Sequence, residues 1–228
     1  MKRLTLVIWA LLLTFPAIAA QAVVEQPAFL SSSEWSETSA KLLTHTLQVV
    51  VIQAQQGVKA TMALWEKKNE EWILVYGPWP AVIGKNGMVR REQKKEGDGK
   101  TPTGLFPISL VFGEADQFET GLPYRTTTEQ DIWVDDPQSA LYNQWSQLPT
   151  TAHSFERMKR KDILYKLGLV VDYNQHPVVA GAGSAIFIHI WRNENKGTAG
   201  CAALAEENLV RLAHALKRES NPFGLFLP

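Results

Sequence analysis

The chain has 228 residues with 23 basic and 23 acidic side chains, so its formal charge is zero and it carries no electrostatic footprint for nucleic acid or an anionic membrane surface. A chain of this length buries a large core as one domain without covalent staples. Its single cysteine, Cys201, excludes an internal disulfide.

In chain order, Lys2 and Arg3 precede an apolar run from Leu4 to Phe15, and small residues follow at Ala17, Ala19, Ala20 and Ala22. This is the layout of a secretory signal peptide, because the run is shorter than the ~20 residues a spanning helix needs. Ala17-Ile18-Ala19 and Ala20-Gln21-Ala22 are candidate cleavage triplets. Residues 1–22 are therefore expected to be removed on export, leaving a protein of the periplasm or cell envelope with no stable membrane insertion. Residues 23–45 read as an N-terminal lead, serine-rich from Ser31 to Ala40, either irregular or a weak helix. Residues 46–228 read as a single domain.

Leu47 to Gln53 is β-branched and apolar, Ala60 to Trp65 alternates, and Trp72 to Tyr76 follows a turn at Lys68-Asn69-Glu70, which together predict an antiparallel meander. Gly77 to Gly104 is dense in glycine, proline and charge and predicts a long functional loop. Strands are expected at Leu105 to Phe112, Ile132 to Val134, Leu167 to Tyr173 and Ala185 to Trp191, with a short helix near Ser154 to Lys161. From Glu206 to Lys217 the apolar positions Leu209, Leu212, Ala213 and Leu216 recur at helical spacing, with Glu206 and Glu207 in the first turn. The expected fold class is mainly β with a few helices (α+β).

In the strand Ile186 to Trp191, Ile186, Ile188 and Ile190 point one way and Phe187, His189 and Trp191 the other. A histidine in such a strand is by itself as well explained by a core role, and a lone thiol by burial as a small hydrophobe. What distinguishes His189 is that the polar turn Arg192 to Gly197 lets the chain reverse, so that Thr198-Ala199-Gly200-Cys201 returns beside it. An imidazolium beside a thiol lowers its pKa from about 8.5 to roughly 3.5–7.5 and makes a nucleophile available. Gly200 permits a tight turn in which the amides of Cys201 and its neighbours face a developing oxyanion.

Gly97-Asp98-Gly99-Lys100-Thr101 contains Gly-Lys-Thr but is no Walker loop: Lys94 stands where a glycine is needed, and the charged segment Arg90 to Glu96 replaces the preceding apolar strand. His45, His153, His176, His189 and Cys201 lack metal-ligand spacing, and Ser184 lacks a nucleophile-elbow context.

Gly97-Asp98-Gly99-Lys100-Thr101-Pro102-Thr103-Gly104-Leu105-Phe106-Pro107, then Val171-Asp172-Tyr173-Asn174, then Ile186-Phe187-Ile188-His189 with Thr198-Ala199-Gly200-Cys201, in that order, resemble the L,D-transpeptidase catalytic domain of the YkuD-like family. The resemblance spans roughly Trp79 to Leu216. It implies a β-rich domain with an active-site groove, Cys201 as nucleophile, His189 as general base and then acid, Gly200 shaping the turn, and no cofactor or metal. The implied partners are peptidoglycan stem peptides, with Arg192, Trp191, Thr198 and Tyr173 as candidate substrate-binding residues. Where that family commonly has Ser-His-Gly-Cys and an arginine two residues on, this chain has Thr198-Ala199-Gly200-Cys201-Ala202-Ala203, so the carboxylate partner falls to Arg192 or to another group. Alternative functions are an L,D-carboxypeptidase or amidase using the same pair, and a non-catalytic cell-wall-binding module presenting Trp79, Trp133, Trp145 and Trp191.

Overall fold

The computed structural model describes residues 27–36 and 45–228. The expected signal peptide lies outside the described residues, as does most of the lead segment.

The strands among the described residues are β1 (Gln48–Ala54), β2 (Lys59–Lys68), β3 (Glu71–Val82), β4 (Met88–Arg90), β5 (Thr101–Gly113), β6 (Tyr124–Thr126), β7 (Asp131–Val134), β8 (Gln144–Gln147), β9 (Phe155–Arg157), β10 (Leu167–Val171), β11 (Phe187–Ile190), β12 (Ala202–Leu204) and β13 (Phe223–Leu227), and the helix α1 (Glu206–Ala215) lies between β12 and β13. Ten strands form the main sheet in the order β10-β11-β12-β3-β2-β1-β13-β5-β4, with β6 also on β5. The thirteen-residue β5 pairs with β13 through Gly104–Pro107 and with β10 through Ile108–Gly113, so the sheet closes on itself as a barrel. A separate three-stranded sheet, β8-β7-β9, lies outside it.

Local chemistry explains most of the meander. Asn69 and Glu70 both have positive φ (49° and 67°) between the paired residues Lys68 and Glu71, the two-residue turn whose twist suits a hairpin. Two boundaries differ from expectation. β3 does not stop at Tyr76 but runs to Val82, because Gly77 (φ 87°) sits at a shift in β2–β3 register and its missing Cβ would lie 2.5 Å from the Met62 carbonyl oxygen. The glycine is a bulge within a strand, not the start of a loop. β5 likewise begins at Thr101, held by parallel pairing with β4.

The helix expected near Ser154 to Lys161 is absent. Phe155–Arg157 pairs with Ile132–Val134 as β9, and the Met158 N–H donates to the Asp131 carbonyl at 3.0 Å, so sheet pairing overrides the weak local preference.

Ile186, Ile188, Ile190, Leu169, Phe106, Phe226 and the inner residues of α1 fill the main core. A second compartment lies between the main sheet and the small one, where Phe112, Phe187, Trp133, Met158, Tyr165 and Cys201 pack together. Its rings meet edge to face: Trp133 on Phe187 at 5.1 Å, Phe112 on Phe187 at 5.3 Å and Tyr165 on Phe187 at 5.6 Å. Trp133, which the wall-binding alternative would present at the surface, is therefore buried. Asp131 anchors the small sheet; burial alone would raise its pKa, but hydrogen bonds from the Trp145 indole and from Thr128 hold it down at about 2.

Candidate active site

β11 lies between β10 and β12, with His189 opposite Gly168 on one side and Ala203 on the other. β12 runs parallel to β11, so residues 191–201 do not simply reverse the chain. They loop back, tied by Thr198 N–H to the Ile83 carbonyl and Lys85 N–H to the Thr198 carbonyl, both at 2.9 Å. The return brings Cys201 alongside Phe187, whose N–H donates to Sγ at 3.4 Å. Because side chains two apart in a strand share a face, Phe187, His189 and Cys201 open into the second compartment while the isoleucines face the core. Gly168 makes room on the other flank: a Cβ there would meet the Phe112 ring at 2.3 Å.

Two backbone groups hold the thiol, the Phe187 N–H and the Ala185 carbonyl. Its S–H donates to the Ala185 carbonyl at 3.2 Å. The Cys201 carbonyl accepts the hydroxyls of Thr198 (2.7 Å) and Thr101 (3.0 Å), and Thr101 Oγ1 in turn accepts the Gly84 N–H. Thr198 Oγ1 also accepts the Gly200 N–H at 3.1 Å, so that amide is already engaged and is not free for an oxyanion. Gly200 lets the turn press on the Gly97–Lys100 loop, since a Cβ there would sit 3.1 Å from the Lys100 carbonyl oxygen. That loop is itself fixed by Asp98, which accepts the Lys95 and Lys100 N–H groups and pairs at 2.7 Å with the buried ammonium of Lys94. Ala185 adopts φ 52°, a conformation costly for a residue with a side chain. Asn143 holds it there: its Oδ1 accepts the Ala185 N–H and the Trp133 indole N–H, while its Nδ2 donates to the carbonyls of Tyr173 and Asn174.

His189 Nδ1 lies 2.8 Å from the Ile190 carbonyl, which assigns the proton to Nδ1 and leaves Nε2 as the basic nitrogen. The Tyr165 ring stands edge-on to the imidazole at 5.3 Å, and its hydroxyl donates to the buried carboxyl of Glu156. Both Cys201 and His189 are 5 % exposed. Burial drives the imidazole down to about 4, and burial, reinforced by the charge of Glu156, pushes the thiol up to about 12. The resting pair is neutral thiol and neutral imidazole, not the thiolate and imidazolium that spacing suggested. The reason is desolvation by the aromatic cover, which no local pattern encodes.

The other expected residues divide. Thr198 touches Cys201, through its carbonyl, and its hydroxyl is occupied by the turn. Trp191 is half-buried at the end of β11, and Arg192 is exposed, 3.5 Å from Asp162. Tyr173 is not brought to the thiol. Its ring packs on Phe106 in the main core, and its hydroxyl donates to the Ala182 carbonyl at 2.6 Å. Thr101, Asn143, Glu156 and Tyr165 were not singled out from sequence; only Thr101 lay in a motif that drew attention.

Among the described residues no helix is long and apolar enough to cross a membrane, and no three His, Cys, Asp or Glu side chains are grouped to hold a metal ion. The family model for the L,D-transpeptidase catalytic domain (YkuD) matches residues 48–221. Comparison with curated proteins and with solved structures gave no match.

Proposed function

Since the chain belongs to the L,D-transpeptidase catalytic-domain (YkuD) family, we propose that it is an exported cell-wall enzyme that transfers an acyl group of a peptidoglycan stem peptide through a thioester on Cys201. The observation that carries the reading is that Cys201, beside Phe187, and His189, two residues on, lie on the same face of the paired strands β11 and β12, with the imidazole tautomer set by Ile190.

In the reaction, the Cys201 proton passes to His189 Nε2 as Sγ bonds to the carbonyl carbon of the diamino-acid residue. Nε2 then returns the proton to the amine of the terminal residue as the carbon–nitrogen bond breaks. An acceptor amine attacks the thioester, gives its proton to Nε2, and the thiol is restored. No step uses a metal or cofactor group. Substrate must first displace part of the cover over Cys201, and the turn carrying Tyr165 is the element that rests directly on His189. Removing water around the pair once substrate is seated strengthens its electrostatics.

Incubation with tetrapeptide-bearing muropeptides tests this. Dimeric products support transfer, trimmed monomers support the L,D-carboxypeptidase alternative, and absence of both together with no adduct on Cys201 removes the catalytic reading. The burial of the thiol favours the rival of a silent wall-binding module, and that rival is eliminated by an acyl adduct on Cys201 seen by intact mass.

A further inference from the structure

We infer that Arg160 binds the free carboxylate at the end of the donor stem peptide, in a place that Asp162 occupies at rest. The inference rests on the acyl-transfer reading above and adds a specificity-determining residue to it. Arg160 lays its guanidinium over the Tyr165 ring, 5.1 Å from the centroid, and the same ring meets His189 at 5.3 Å. The two contacts bound the guanidinium-to-imidazole separation at about 10 Å. A carbonyl under attack beside His189 has the leaving residue's carboxylate one residue further on, at most ~3.6 Å along the chain, and an ion pair adds about 4 Å. The end of the donor therefore falls within reach of Arg160.

Arg160 grips Asp162 as a fork, Nε to Oδ1 at 2.8 Å and Nη2 to Oδ2 at 2.9 Å, and Arg192 Nη2 approaches the same carboxylate at 3.5 Å. Arg160 also feels the Glu156 carboxyl that accepts the Tyr165 hydroxyl, so the two guanidiniums face two acidic groups, and it is exchange with Asp162 rather than surplus charge that admits a second carboxylate. The planar fork is the donor pattern that matches a carboxylate. Asp162 is kept in place for another reason, accepting the Leu164 N–H at 3.2 Å at the start of the turn Ile163–Tyr165. The Arg160 and Asp162 side chains are 31% and 35% exposed, so a carboxylate arriving from solvent competes directly.

The test follows acylation of Cys201 in the purified full chain by intact mass, using a tetrapeptide donor with a free terminal carboxylate and the same donor as its terminal carboxamide. The wild-type protein is expected to favour the carboxylate roughly tenfold to a hundredfold in kcat/KM, as a charged hydrogen-bonded pair implies. Arg160→Met should react with both donors at the slow rate, with part of the preference restored in Arg160→Lys. Asp162→Asn can still hold the turn through Oδ1 but loses its charge and the Nη2 bond, which weakens its hold on Arg160, and should lower KM for the carboxylate donor alone, an effect of opposite sign to damage. Indifference of the wild-type protein to the carboxamide, or an unchanged preference in Arg160→Met, overturns the inference while leaving acyl transfer standing. No adduct with either donor on the wild-type protein overturns the acyl-transfer reading and the inference with it.

Discussion

Alkylation of Cys201 tests the electrostatics of the buried pair directly. Burial lifts the thiol from its ordinary 9.0 to about 12, so at neutral pH the thiolate fraction is lower by roughly three decades than in an unfolded chain. Only the thiolate reacts with iodoacetamide, so labelling of the folded protein at pH 7.5 should run about a thousandfold slower than in concentrated urea. The pH profile should rise steadily to pH 10, with no inflection near 6. His189→Gln should leave this resting rate unchanged, because the imidazole is neutral and lends the sulfur no charge. Tyr165→Ala, which removes the ring resting on His189 and Phe187, should raise it. Intact-mass time courses in folded and denatured samples give all four rates. Labelling of the folded protein as fast as the denatured one, or an inflection below pH 7, would mean an ionised resting pair and refute the reasoning.

Further outcomes concern stability. His189 is held at about 4 when folded against 6.5 when free, so the unfolded chain takes up the proton first. Its contribution is complete above pH 6.5 and is lost as pH falls towards 4, by about 3 kcal/mol at most, which urea midpoints at pH 7 and 4.5 measure and His189→Gln should flatten. The thiol acts in the opposite direction, its contribution being full below pH 9 and lost as pH rises towards 12. Asn143→Ala strands the Trp133 indole N–H and the Ala185 N–H and should cost roughly 2–4 kcal/mol in denaturant unfolding. Gly168→Ala drives a methyl into Phe112 and should cost about 1–3 kcal/mol, with part of the loss recovered in a Phe112→Leu background; no recovery removes the steric account.

The meander, the two faces of β11 and the apolar stripe of α1 were readable because periodicity alone sets them. Gly77 misled because a bulge glycine and a turn glycine look alike until the partner strand is known. β9 was read as helix because its strand character comes from β7, which precedes it by more than twenty residues. At the candidate site, the spacing of His189 and Cys201 could be seen, but the parallel return of β12 could not. Tyr165, Glu156 and Asn143 carry no local motif, and each gains its place only from long-range packing. The charge state of the pair was misjudged for the same reason: spacing describes neighbours, whereas ionisation depends on how much water the rest of the chain excludes.

β13 runs parallel to β1 and antiparallel to β5, in the interior of the main sheet. The first and last strands among the described residues are thus direct neighbours, and the barrel stays open until Phe223–Leu227 have been synthesised. While those residues remain in the ribosome, β1 and β5 lack the partner that joins them. Closure of the barrel therefore has to follow synthesis of β13, and the nascent domain remains threadable until that strand is made.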